Sequence, residues 1–144
     1  MKNTLFVYGT LLFSIESSIA TFLKNNAKFI GEGYLSGQLF DLGYYPAAVF
    51  QEDASSMVFG HIFELNDAET ALPVLDEYEA VGEQFGHYKE YIRSKVPVWW
   101  EGKKIYCWAY LYALPTDDLP QIISGNYPDF LKNNPKHQEF IKSV

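Results

Sequence analysis

Two segments of the chain combine residue types that could take part in a reaction. The first, Tyr8-Gly9-Thr10-Leu11-Leu12, follows a short apolar run, and its glycine offers bare backbone N–H groups at the end of a predicted strand. The second, Leu75-Asp76-Glu77-Tyr78-Glu79-Ala80, crowds three carboxylates at the end of a predicted helix. The helix dipole is negative there, so a carboxylate held partly buried at such an end has a raised pKa, as a general base near neutrality requires. The alternative is that all three are solvated surface acids of an acidic protein.

The spacing of the acidic segment separates its side chains. Asp76 and Glu79 are three residues apart and share a helix face, whereas Glu77 points elsewhere. Arg93, on a strand beyond the helix, has two interpretations: a surface charge, or a partner for Asp76 or for a substrate carboxylate. Cys107 lies mid-strand among aliphatic residues and is interpreted as a small core hydrophobe rather than a nucleophile.

The elements that must position these segments follow from periodicity and turn signals. Ser14 is predicted to begin a helix that ends at Asn25-Asn26, and an Asn66-Asp67-Ala68-Glu69 capping box to begin a second helix, kinked or restarted at Pro73 and ending near Glu79. Predicted strands, besides the opening one, cover 29–35, 37–41, 57–65, 91–99 and 105–113, with 42–48 a loop or edge segment. The short, hairpin-like spacing favours a mixed or antiparallel curled sheet of six or seven strands.

The last strand alternates so regularly that its two faces can be assigned. One face carries small and aliphatic residues, and the other is expected to be a structural aromatic face of Tyr106, Trp108, Tyr110 and Tyr112.

Composition limits the classes of protein. At 144 residues we expect a single domain over 1–144. A net charge of −7 argues against a nucleic-acid or anionic-membrane surface. A single cysteine excludes an intrachain disulfide and favours a cytoplasmic location. Histidine spacing predicts no metal site, and no nucleotide-cofactor loop is present.

Several segments together resemble the γ-glutamylcyclotransferase-like family, including its short AIG2-like and γ-glutamylamine cyclotransferase members. Each motif is weak alone, and their order and spacing over most of the chain make the combination specific. The segments that carry the resemblance are Val7–Leu12, Gly43–Ala47, Val58–Leu65, Leu75–Glu79, Tyr91–Val98, Ala109–Tyr112 and Ile123–Tyr127.

The resemblance implies an α+β fold, a small mixed, mostly antiparallel β-barrel with flanking short helices. It implies a metal- and cofactor-free enzyme that cyclises a γ-glutamyl amino acid or γ-glutamylamine to 5-oxoproline and releases the amine. Glu79 would be the general base, and the residues expected to bind the substrate are Tyr8, Gly9, Thr10, Leu11 and Tyr91, with Tyr88 a second candidate for the pocket tyrosine. The expected partner is a small γ-glutamyl molecule, and the expected assembly a monomer or weak homodimer.

One departure from the family pattern keeps a second hypothesis open. The family usually has Gly after its catalytic Glu, and this chain has Ala80. If that position requires a positive φ, Ala is strained there by roughly 1 kcal/mol or more. The alternative is therefore a non-catalytic protein of the same fold that binds a small carboxylate or another protein.

Overall fold

The computed structural model describes residues 3–9, 18–43, 45–78 and 90–143. These contain, in chain order, β1 (Thr4–Val7), α1 (Ser18–Asn26), β2 (Ala27–Asp41), β3 (Pro46–Phe50), β4 (Met57–Leu65), α2 (Ala68–Tyr78), β5 (Tyr91–Trp100), β6 (Lys103–Tyr112), α3 (Tyr127–Leu131) and α4 (Pro135–Ser143).

Within the described residues, five strands close into a mixed barrel, as the sequence resemblance implied. The hydrogen-bonded order is β3-β2-β4-β1-β6-β5, and β5 returns to β2 to complete the circle. β1 and β6 are parallel, whereas the other pairings are antiparallel. β3 extends the sheet along the second half of β2, outside the five-stranded circle.

Closure depends on one close approach between backbones. Tyr34 of β2 pairs with Trp99 of β5, and neighbouring Gly33 leaves the space this requires. A Cβ on Gly33 would lie 2.9 Å from the Trp99 carbonyl oxygen and 2.7 Å from Cδ1 of Ile62. Any larger residue at this position would push β2 and β5 apart.

The core follows the alternation read from the sequence. Cys107 of β6 is buried, as predicted, and so are Ala109 and Leu111 on the same face. On the opposite face, Tyr110 is buried while Tyr106 is 60% exposed. The aromatic face is therefore covered only along part of its length.

Three predicted details were wrong. β2 runs unbroken through Ser36, since β4 pairs with it up to that residue and β3 takes over from Gly37. α2 continues through Pro73 without a restart, with Leu72 and Leu75 buried in the core on either side of the proline.

The third correction concerns the start of α2. Its N-terminal cap is Asp67 rather than Asn66. The Asp67 carboxylate accepts from the backbone N of Thr70 at 3.4 Å and from its hydroxyl at 2.8 Å, while the Asp67 carbonyl accepts from Ala71 N.

Candidate active site

Tyr8 stands at the end of β1, with its ring in the buried core. Its hydroxyl donates to the carbonyl oxygen of Tyr110 at 2.5 Å and accepts from the backbone N of Ala48 at 3.3 Å. One phenol thus links β1 to β6 and β3. The backbone after Tyr8, at Gly9, is thereby fixed relative to both strands.

Gly9 lies directly against the first residue of β3. A Cβ on Gly9 would be 3.0 Å from Cγ of Pro46, which is tighter than an ordinary contact. The missing side chain allows Pro46 to close on the backbone at this point.

Tyr91 reaches the same proline from the other side. Its hydroxyl donates to the carbonyl oxygen of Pro46 at 2.6 Å, and the Tyr91 residue is buried. Its ring lies between two further tyrosines, 6.3 Å from Tyr45 and 5.9 Å from Tyr112 between centroids. The structure therefore brings Tyr8, Gly9 and Tyr91 together around the start of β3, although 83 residues of sequence separate the outer two.

Tyr45 and Glu90 also belong to this cluster, and the sequence reasoning did not select them. The Tyr45 hydroxyl lies 2.8 and 3.1 Å from the two carboxylate oxygens of Glu90. Burial raises the pKa of Tyr112, and the nearby Glu90 carboxylate raises it further. The sequence signal that could have indicated Tyr45 is the Tyr45-Pro46 pair, which lies within one of the segments that carry the family resemblance.

Asp76, near the end of α2, anchors that helix to the outer face of the barrel. Its carboxylate accepts from Arg93 through Nε at 2.8 Å and Nη2 at 3.2 Å, and from the Tyr110 hydroxyl at 2.6 Å. The Arg93 and Asp76 side chains are 24% and 22% exposed. Arg93 also stacks on Trp108, with Cζ 4.6 Å from the ring centroid. Arg93 is thus not a free surface charge but the ion-pair partner of Asp76.

Tyr110 of β6 connects the residues around Pro46 with those around Asp76. Tyr110 accepts from Tyr8 through its backbone carbonyl and donates to Asp76 through its hydroxyl. The hydrogen-bonded path therefore runs from the start of the Tyr8-Gly9 segment to the last turn of α2. Glu79 is the next residue along the chain after the described end of that helix.

Part of the predicted site lies outside the described residues. This applies to Thr10, Leu11, Glu79, Ala80 and Tyr88. Their predicted roles stay predictions.

Two other reactive groups, Cys107 and His61, are buried. Burial raises the pKa of Cys107, which agrees with its interpretation as a core residue. Burial lowers the pKa of His61, and its buried Nδ1 has no hydrogen-bond partner among the described residues. Among all the residues that the structure describes, no group of three or more His, Cys, Asp or Glu side chains could hold a metal ion. No described helix has the length and apolar character to cross a membrane.

Comparison with known proteins places the chain in a family. The family model described as "Gamma-glutamyl cyclotransferase, AIG2-like" matches residues 5–129. The chain therefore belongs to the AIG2-like γ-glutamylcyclotransferase family, which confirms the resemblance found in the sequence.

Individual relatives agree with this placement. The chain is 29% identical over 126 residues to the γ-glutamylcyclotransferase family protein YtfP of Escherichia coli K12, covering 87% of this chain and 96% of that protein. Among solved structures it resembles YkqA of Bacillus subtilis with a TM-score of 0.66 and 23% identity, over 100% of this chain but only 44% of YkqA. A mouse AIG2-like protein gives a TM-score of 0.62 and 24% identity, with 83% of this chain and 84% of that one covered. At these identities the two structures support the fold alone.

Proposed function

We propose that the protein is a γ-glutamylcyclotransferase that converts a γ-glutamyl amino acid or γ-glutamylamine to 5-oxoproline and a free amine. The observation that carries the proposal is that Tyr8, Gly9 and Tyr91 meet at the start of β3, where Tyr8 binds Ala48 and the other two contact Pro46. The family resemblance points to these residues in two distant parts of the chain, Tyr8-Gly9 and Tyr91. Membership of the family supports the same class of reaction.

In the proposed mechanism the substrate supplies both reacting groups. Glu79 removes a proton from the α-ammonium group, and the resulting amine attacks the γ-carbonyl carbon of the same molecule. A C–N bond forms in the five-membered ring, and the original γ-amide C–N bond breaks. Glu79 returns its proton to the departing nitrogen, and the second proton that the ring nitrogen loses passes to the released amine, which leaves as an ammonium ion. Neither an oxidant nor a further reactant is needed. A carboxylate in this role typically contributes roughly 10² to 10⁴ in rate.

The backbone of residues 8–11 would bind the glutamyl end and the oxygen that becomes negative during attack. A backbone N–H placed for that oxygen contributes on the order of 10² to 10³ in rate. The anchoring of Tyr8 to Tyr110 and Ala48 supports this role, because a cradle made of backbone needs a rigid frame. The pocket then has only to fold the substrate into a ring, which supplies orientation at low cost.

The test is an assay of 5-oxoproline formation from a panel of γ-glutamyl amino acids, γ-glutamyl-ε-lysine and glutathione. We expect at least one to be converted, and Glu79→Gln to lose at least 99% of kcat. The matched control is Glu77→Gln, the same chemical change two residues away at an exposed position, and it should retain full activity. Normal turnover by Glu79→Gln would refute the assignment of the base.

A binding protein of the same fold is the second candidate, and Ala80 is the observation that favours it. Its distinguishing result is binding of a γ-glutamyl compound without 5-oxoproline from any member of the panel. Restoration of turnover by Ala80→Gly would then identify the alanine as the cause.

A further inference from the structure

A polar relay of three hydrogen-bonded side chains, two of them buried, connects the C-terminal helices to the end of β2. The Tyr127 hydroxyl lies 2.8 Å from Nδ1 of His137, and Nε2 of His137 lies 2.7 Å from Oδ1 of Asp41. Tyr127 is fully buried and His137 is 1% exposed. Because a carboxylate can only accept, Nε2 of His137 donates to Asp41. None of these three residues belongs to the cluster of Tyr8, Gly9 and Tyr91.

Asp41 transmits this relay into the connection between β2 and β3. The same Oδ1 accepts from the backbone N of Gly43 at 2.7 Å, and Leu42 N donates to the Tyr45 carbonyl at 3.1 Å. Asp41 is also the last β2 residue in the ladder, directly opposite Pro46. Its carboxylate therefore fixes both the turn and the residue at which β3 begins.

Pro46 is in turn the residue on which the proposed substrate site is built. Gly9 packs against its ring, and Tyr91 holds its carbonyl oxygen at 2.6 Å. A continuous set of contacts thus runs from Tyr127 through His137 and Asp41 to Pro46. Every link in it is a hydrogen bond, a ladder pairing or direct packing.

We propose that Tyr127, His137 and Asp41 are positioning residues for the active site, acting through the turn of residues 41–46. This inference rests on the proposed function, since it assigns the relay to substrate binding. The competing interpretation is that the relay only fastens α3 and α4 to the barrel. The two interpretations predict different results for a change at Tyr127. A positioning role predicts an effect at Pro46, whereas a fastening role predicts an effect on α3 and α4 alone.

The first test breaks the relay at its remote end. Tyr127→Phe removes one hydroxyl while keeping the buried ring, so the packing of α3 is retained. We expect KM for the γ-glutamyl substrate to rise roughly three- to tenfold, as for the loss of one buried hydrogen bond, with kcat within twofold. Tyr106→Phe is the matched control, because it deletes the same atom at a 60% exposed position and should leave KM unchanged.

The second test uses a conservative rescue at the near end. Asp41→Ala removes the acceptor for both His137 and Gly43, and should raise KM more than Tyr127→Phe does. Asp41→Asn keeps an oxygen at Oδ1 and should return KM to within about threefold of the natural protein. An unchanged KM in both Tyr127→Phe and Asp41→Ala, in folded protein, would overturn the proposal.

A structural readout keeps this inference separate from the proposed function. Amide hydrogen exchange followed by mass spectrometry should show faster exchange in residues 42–48 of Tyr127→Phe, and none of this in Tyr106→Phe. Faster exchange confined to residues 127–143 would overturn the positioning role. If no γ-glutamyl compound is converted by the natural protein, the proposed function fails, and exchange in residues 42–48 still decides whether the relay holds the turn.

Discussion

Removal of the Asp76 carboxylate should cost a large part of the stability of the fold. The carboxylate accepts two hydrogen bonds from Arg93 and one from Tyr110, a residue that is only 3% exposed. Hydrogen bonds to charged groups contribute about 1.5–3 kcal/mol each, and a buried donor left unpaired costs about 1–3 kcal/mol. Because the ion pair is about one-quarter exposed, solvent replaces part of what is lost at Arg93. We therefore expect Asp76→Ala to lower the free energy of unfolding by about 3 kcal/mol, and Asp76→Asn by about half as much.

The assay is urea denaturation followed by circular dichroism, with Glu77→Ala as the control. Glu77 is the next residue on α2 and is exposed, so its removal should change stability by less than about 0.5 kcal/mol. A double-mutant cycle between Asp76→Ala and Tyr110→Phe isolates their hydrogen bond and should give a coupling of about 1 kcal/mol. A loss below about 1 kcal/mol for Asp76→Ala, with no coupling to Tyr110, would refute the view that this carboxylate fastens α2 to the barrel.

Two further predictions concern the pH dependence and the packing at Pro46. His61→Phe should stabilise the fold, more at pH 5.5 than at pH 7.5, in urea titrations at both values. Burial lowers the pKa of His61 below 6.5, so the unfolded chain takes up its proton first and the natural protein loses stability as the pH falls from about 6.5 toward the lowered pKa. An equal difference at both pH values would contradict this. Gly9→Ala should raise KM about tenfold by pressing on the Pro46 ring, and Pro46→Ala in the same chain should recover part of the loss. Unchanged KM in Gly9→Ala would show that the contact with Pro46 does not shape the site.

Local patterns predicted most of the elements, because their causes are local. The alternation over β6 correctly put Cys107, Ala109 and Leu111 on one face, since adjacent residues of a strand face opposite sides, and that face is buried. β5 and β6 pair antiparallel because a short turn joins two strands that are consecutive in the sequence. The helix does not restart at Pro73, because the local preference of proline yields to the burial of the leucines beside it.

The sequence predicted only part of the candidate site. The resemblance selected Tyr8, Gly9 and Tyr91, but nothing in the sequence indicated that all three meet at the first residues of β3. That meeting depends on closure of the barrel, which brings together segments separated by about forty residues or more. Sequence spacing carries little information about such contacts, because a long connection can return the chain to many places.

The sequence by itself determined the family, the positions of most strands and helices, and the location of the acidic segment at the end of α2. Those properties depend on residue types and on spacings of two to four residues, which local backbone geometry translates directly into structure. The tertiary structure decided which polar groups meet: Asp76 with Arg93 and Tyr110, and Asp41 with His137. Asp41 and His137 are 96 residues apart, and their contact exists because barrel closure and the docking of α4 fix both ends of one hydrogen bond.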